Sequence, residues 1–300
     1  MPAGTRATGG RSGSRRGRRH LIGLVLPGDA PRLGVEPFFM ELVAGMEQVL
    51  APADASVLLL VTPDLAAELA TYRRWAGEGT VDAVIVVNLV HDDTRPAELE
   101  KLGLPAVLAG RYEGPTALAS VATDDTGAMI AAMELLAELG HRVVGRVSGP
   151  AELVHTAERS AAMHEAGRRL GVQVRIVEAD YSAEAGVRSA RELLAGDPAP
   201  TAVVFDNDVM AVAAEDDLVR SGVRVPEQVS LLACDDSALC ELAVPPLSAM
   251  GIDVHEYGVT LGRAVLDVLD GDARRDHASP PIRILRRGST GRAPAPASRR

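Results

Sequence analysis

The segment TAVVFDNDVMA (201–211) drives an apolar run straight into Asp206, Asn207 and Asp208. VSLLACDDSAL (229–239) repeats the pattern with Asp235 and Asp236, and the short run SVA is followed, after Thr123, by Asp124 and Asp125. Acids and an amide at the ends of buried strands could ligate a metal, transfer protons, cap helices or hydrogen-bond a polar ligand. Asp208 and Asp236 stand just before helical patterns and are natural N-caps, each contributing about 1 kcal/mol without any ligand. Three such groups in one chain favour a site over capping alone.

Metal and catalytic readings fit poorly. GDAPRLG, after the first apolar run, matches neither GxxxxGK[ST] nor GxGxxG, so no phosphate-binding loop accompanies the acids. There is no GxSxG for a serine nucleophile. His155, His164 and His255 lack metal-ligand spacing, and His141, after a helix end in ELGHR, reads as structural. The expectation is a protein that is not an enzyme, with no metal and no cofactor. Carboxylates accept from hydroxyls, Asn both gives and takes, and Arg donates in a fork, so a neutral, hydroxyl-rich ligand suits this inventory.

The elements that position these groups show in the periodicity. LIGLVL, SVLLLV, AVIVV and AVLA read as buried strands, with FFMELVAGMEQVL and LAAELATYRRWA between them at helical spacing. After MIAAMELLAELGH the alternation starts again, with strands VVGRV, VRIVEA, AVVF and VSLLA. Gly171 and Gly222 fall where helix C-termini take a left-handed residue. The pattern predicts an α/β protein of two doubly wound parallel-sheet lobes with a ligand cleft between them. One lobe is expected over 21–140 plus 251–278, the other over 141–250 plus 279–290. In such sheets ligands sit beyond the carboxyl ends of the strands, where all three acid groups lie.

Composition agrees with a globular chain of 300 residues, 47% hydrophobic, whose core rests on aliphatic side chains because aromatics make up only 3%. A net charge of −10 argues against a nucleic-acid surface spread over the whole fold. The exception is residues 1–20, rich in Gly, Ser and Arg, expected as a disordered basic arm; 291–300 is expected as a loose tail. SRRGRR brings a twin-arginine signal to mind, but the apolar run behind it stops at Pro27 and lacks a small-residue cleavage site. No run approaches the ~20 apolar residues of a membrane span, and two cysteines are too few for a disulfide framework, so the cytoplasm is the expected compartment.

Taken in order, IGLVLP, PFFMELVAGME, VDAVIVV, ELGHRVVGRVSGP, ERSAAM, FDNDVMAVAA, SGVRVPEQVSLLACDDSAL, PPLSAM and RRGSTG resemble the effector-binding core of the LacI family of bacterial transcriptional regulators. The resemblance runs from about Leu21 to Gly291. It implies a periplasmic-binding-protein-like pair of lobes, working as a homodimer, that senses a sugar or nucleoside-like effector. It implies ligand contacts at Arg159, Asn207 and Asp235, pocket walls at Phe39 (with Phe38 beside it) and Tyr181, and an acid near the hinge side of the cleft at Asp124. Two departures stand out: the stretch between Pro27 and Pro37 is longer than the family's loop, and the twenty residues before Leu21 have no room for the family's helix-turn-helix. DNA binding is therefore expected only if such a domain lies upstream of Met1. The rival reading is a solute-binding protein of a sugar transporter, built from the same two lobes.

Overall fold

The computed structural model describes residues 19–28, 37–272 and 277–295. Most of the basic arm, residues 29–36 of the loop between Pro27 and Pro37, residues 273–276 and the last five residues of the tail lie outside the described residues.

The first sheet takes β1 (His20–Pro27), β2 (Ala55–Thr62), β3 (Ala83–Val86), β4 (Ala106–Ala109) and β5 (Ala119–Val121) in the order β2-β1-β3-β4-β5, all parallel. Helices cover it on both sides, which is why its central strands are near-continuous apolar runs. On one face pack α1 (Pro37–Leu50) and the distant α9 (Val254–Leu269), through Phe39, Leu42, Met46, Tyr257 and Leu261. On the other lie α2 (Leu65–Glu78) and α3 (Arg95–Leu102), through Tyr72, Trp75 and Leu99.

The second sheet holds β6 (Val143–Ser148), β7 (Gln173–Glu178), β8 (Ala202–Phe205), β9 (Ser230–Ala233), β10 (Ser248–Gly251) and β11 (Arg283–Leu285) in the order β11-β10-β9-β8-β6-β7. Only β11 among them runs antiparallel to its neighbour. Helices α6 (Ala183–Leu194) and α7 (Asp208–Arg220) cover one face. The opposite face is covered by α4 (Asp125–Glu138) and α5 (Val154–Leu170). The sequence places α4 in the first lobe, with the boundary near Gly140. Its buried face, Met129, Ala132, Met133 and Leu136, packs instead with Val144, Met163 and Val204 of the second. The chain changes lobes before α4, at 122–124.

The stretch RRGSTG owes its composition to packing. Ser289 accepts from Leu231 N at 2.8 Å through its carbonyl, while its hydroxyl accepts from Ser248 N at 2.8 Å. Residues 291–295, expected as part of a loose tail, are laid against the second lobe: Gly291 N donates to Ser230 Oγ (3.0 Å) and Ala293 N to Leu139 O (2.9 Å). His141 is structural, as expected, its ring bonded to Thr201 Oγ1 (2.8 Å) and Gly291 O (3.2 Å).

Helices α1 and α9 meet backbone to backbone. A Cβ on Gly258 would lie 2.2 Å from Leu42 O, and one on Gly45 would lie 2.0 Å from His255 O. Gly258→Ala is therefore expected to push the helices apart and lower stability by about 1–3 kcal/mol, seen as a lower urea midpoint at unchanged m-value.

On α7, Glu215 is 1% exposed and neither carboxylate oxygen has a hydrogen-bond partner. Burial pushes its carboxyl up to about 7. In the unfolded chain it ionises near 4.5, so the folded state loses stability as pH rises from about 4.5 to about 7 and none further above. Glu215→Gln is expected to be more stable than the parent at pH 8 by about 3 kcal/mol, the gap all but vanishing by pH 4.5. Chemical denaturation at both pH values measures it.

Candidate ligand cleft

A cavity of about 620 Å³ opens between the lobes, within the usual range for small-molecule sites. Its second-lobe wall comes from the carboxyl ends of three parallel strands and one helix: Tyr181 follows β7, Asp206 and Asn207 follow β8, Cys234 and Asp235 follow β9, and α5, the helix after β6, contributes His155 and Arg159. The first lobe contributes Phe38 and Phe39 from the start of α1, Asn88 after β3 and Arg111 after β4. The two Phe rings stand edge to face with centroids 5.3 Å apart. An apolar wall thus faces a floor of charges.

Beneath that floor lies an ion pair the sequence reading did not anticipate. Arg146 enters mid-strand on β6, with its side chain fully buried, and grips Asp206 in a fork: Nε donates to Oδ1 at 2.7 Å and Nη2 to Oδ2 at 2.6 Å. Gly149 N adds a third bond to Oδ2 at 2.9 Å. Burial works against the Asp206 carboxylate, but Arg146 and these bonds hold its pKa below the ordinary value. This gives Asp206 a role. The available signal was the lone arginine inside VVGRV, a charge in a buried strand that must find a counter-charge.

Arg159 sits above this pair. Its Nε and Nη2 both reach Asp125 Oδ1 at 2.7 Å, and Nη1 donates to Asp206 O at 3.4 Å. Burial disfavours the guanidinium charge, yet Asp125 and the acids around it keep it protonated. The same pairing draws Asp125 below the usual carboxylate range despite its burial. Asp124, expected at the hinge side of the cleft, is corrected: it is exposed and caps α4, accepting from Gly127 N at 2.8 Å, while Asp125 faces the cavity. One residue of helical phase separates the two roles.

The other caps also shift by one residue. Asn207, not Asp208, caps α7: its Oδ1 accepts from Met210 N at 2.9 Å while its Nδ2 donates to Tyr181 O at 3.1 Å. One N–H and one lone pair remain on that amide. Asp208 is the first helical residue, its carboxyl raised by burial and hydrogen-bonded to Ser237. Ser237 caps α8 (Ala238–Leu242), leaving Asp236 to fork with Arg287 at 2.7 and 2.9 Å.

Tyr181 adopts the left-handed backbone (φ 66°), and its ring lies over Gly149, where a Cβ would come 2.1 Å from the hydroxyl. That hydroxyl bonds His155 Nε2 at 3.0 Å and Thr156 Oγ1 at 3.3 Å. Burial, then Arg159, push His155 down to about 4, so the ring is neutral at physiological pH. Of the six residues predicted from sequence, the structure brings Phe39, Arg159, Tyr181, Asn207 and Asp235 to one cavity. Among the described residues no group of three or more His, Cys, Asp and Glu is placed to hold a metal, and no helix is long and apolar enough to cross a membrane.

Two parallel-sheet lobes around such a cleft define a periplasmic-binding-protein-like domain, and the profile of the family described as "Periplasmic binding protein-like domain" matches residues 133–290. A LacI family transcriptional regulator from Bifidobacterium animalis subsp. lactis superimposes with a TM-score of 0.84 at 32% identity, over 92% of this chain and 99% of that one. The chain belongs to the LacI family of transcriptional regulators, and it forms an effector-binding domain of that family. Among curated relatives, the regulator CelR of Thermobifida fusca is 29% identical over 89% of this chain and 78% of its own length. A structure described as a CelR–cellobiose complex matches with a TM-score of 0.82 at 28% identity, over 91% of this chain and 86% of that one. These relatives are regulators of transcription, not enzymes.

Proposed function

We propose that the cleft binds a small polyhydroxylated metabolite of the sugar class, and that lobe closure over it changes how a dimer engages DNA. The observation that carries this reading is the meeting, in one interlobe cavity, of Arg159, Asn207 and Asp235 with the Phe38–Phe39 wall. Charged and amide groups bond hydroxyls, and an aromatic wall covers the apolar face of a sugar ring. Charge-assisted bonds of this kind contribute about 1.5–3 kcal/mol each when shielded from water. Similarity to a regulator solved with cellobiose supports the ligand class. The fold of the lac repressor dimer bound to operator is also similar, with a TM-score of 0.79, though at 23% identity it speaks to the fold alone.

Isothermal titration calorimetry with cellobiose, maltose, glucose, adenosine and cytidine tests the proposal. Saturable binding of at least one saccharide is expected. Binding of a nucleoside with no response to any saccharide would reassign the ligand class, and binding of none would remove the reading.

A further inference from the structure

At the rim of the cleft the two lobes join by more than surface contact. Val90 of the first lobe and Leu153 of the second form an antiparallel β-bridge. Val154 N donates to Leu89 O at 2.9 Å, and His91 N donates to Glu152 O at 3.1 Å. The Val154 side chain, on a second-lobe helix, is 3% exposed because it enters the core of the first lobe beside Val86, Leu89 and Leu108. Arg111 Nε meets Glu158 Oε1 at 2.8 Å across the same rim. Arg111 is largely exposed, so that pair adds little by itself.

The first-lobe half of this junction is held in shape from behind. Arg95, fully buried, forks onto Asp93 and reaches Glu68 at 2.9 Å. It also donates to the carbonyls of Val87 (3.0 Å) and Asn88 (2.8 Å). Asp93 in turn accepts from Val90 N at 3.2 Å. Asn88 and Asp92 take left-handed backbone, φ 51° and 53°. An ion cluster thereby fixes the edge that residues 89–91 present to the other lobe.

We propose that the start of α5 is a latch: its pairing with residues 89–91, with Val154 seated in the first lobe's core, holds the lobes closed over the cleft. Arg159 lies about one and a half turns further along the same helix, held to Asp125 and Asp206 of its own lobe, so the latch and the charged wall of the cavity move as one rigid body. The device needs no identified ligand and stands independently of the ligand class proposed above.

Val154 permits a surgical test. It is the first residue of α5, where proline is tolerated, and Leu153 before it already has the extended backbone (φ −77°, ψ 131°) that proline requires. Val154→Pro deletes the donor to Leu89 O and leaves the helix. Hydrogen exchange on the ligand-free protein reads the His91 amide against two controls inside the lobes, Val84 N (bonded to Pro105 O) and Cys234 N (bonded to Phe205 O). The expected result is roughly tenfold faster exchange at His91 with both controls unchanged, the effect of losing about one hydrogen bond from a local opening. Unchanged His91 exchange overturns the latch. If all three amides speed up together, Val154→Ala, which keeps the amide and only shrinks the plug, decides: faster exchange at His91 alone supports the latch, and any other pattern overturns it.

Discussion

Asp206→Ala is expected to lower the unfolding free energy by about 3–5 kcal/mol, measured by urea denaturation, although the residue lies at the edge of a ligand cleft. The substitution leaves the fully buried Arg146 without a counter-charge, with the neutral acceptors Ser160 Oγ and Thr156 O in place of a carboxylate. The pair itself need not be stabilising relative to an apolar core. The double variant Arg146→Met/Asp206→Leu removes both charges and is expected to recover most of the loss. A single variant within about 1 kcal/mol of the parent would show that Arg146 finds other partners and that the pair does not organise the floor of the cleft.

Arg159→Ala is expected to weaken calorimetric binding of whichever saccharide the parent binds by roughly a hundredfold or more, the cost of removing one partner of a desolvated charged contact. It also leaves Asp125 without its counter-charge, so lost affinity could be confused with a disturbed fold. Arg159→Lys separates the two. It keeps a cation beside Asp125 but cannot present a planar fork. Parent-like stability is expected for it, with affinity down roughly tenfold or more. Full affinity in the lysine variant would mean that Arg159 acts only as a counter-ion to Asp125.

Much of the fold could be read from the chain because strands buried on both faces are near-continuous apolar runs. AVVF and VSLLA declared themselves, and with them the place where polar groups must emerge. Arg159, Asn207 and Asp235 followed from that placement together with the family resemblance. What stayed hidden was partnership over distance and phase over one residue. Arg146 and Asp206 are 60 residues apart in sequence, and no local pattern links them. Asp124 and Asp125 are adjacent and chemically identical, yet one turns outward to cap α4 and the other inward to Arg159. Helix α4 has apolar residues at helical spacing that would suit either sheet, so periodicity alone could not assign it to the second lobe.

The glycine-lined contact between α1 and α9 also constrains how the molecule is made. His255 on α9 bonds Glu41 on α1, a partner 214 residues earlier in the chain. As the polypeptide leaves the ribosome, the face of α1 bearing Phe39, Leu42 and Met46 must wait for nearly the whole second lobe to be synthesised before its cover arrives. Closing so long a loop is slow, and the waiting apolar surface is open to association in the interval. The second lobe, with α4 and nearly all its strands emerging consecutively, can complete its core first and serve as the platform onto which the first lobe closes.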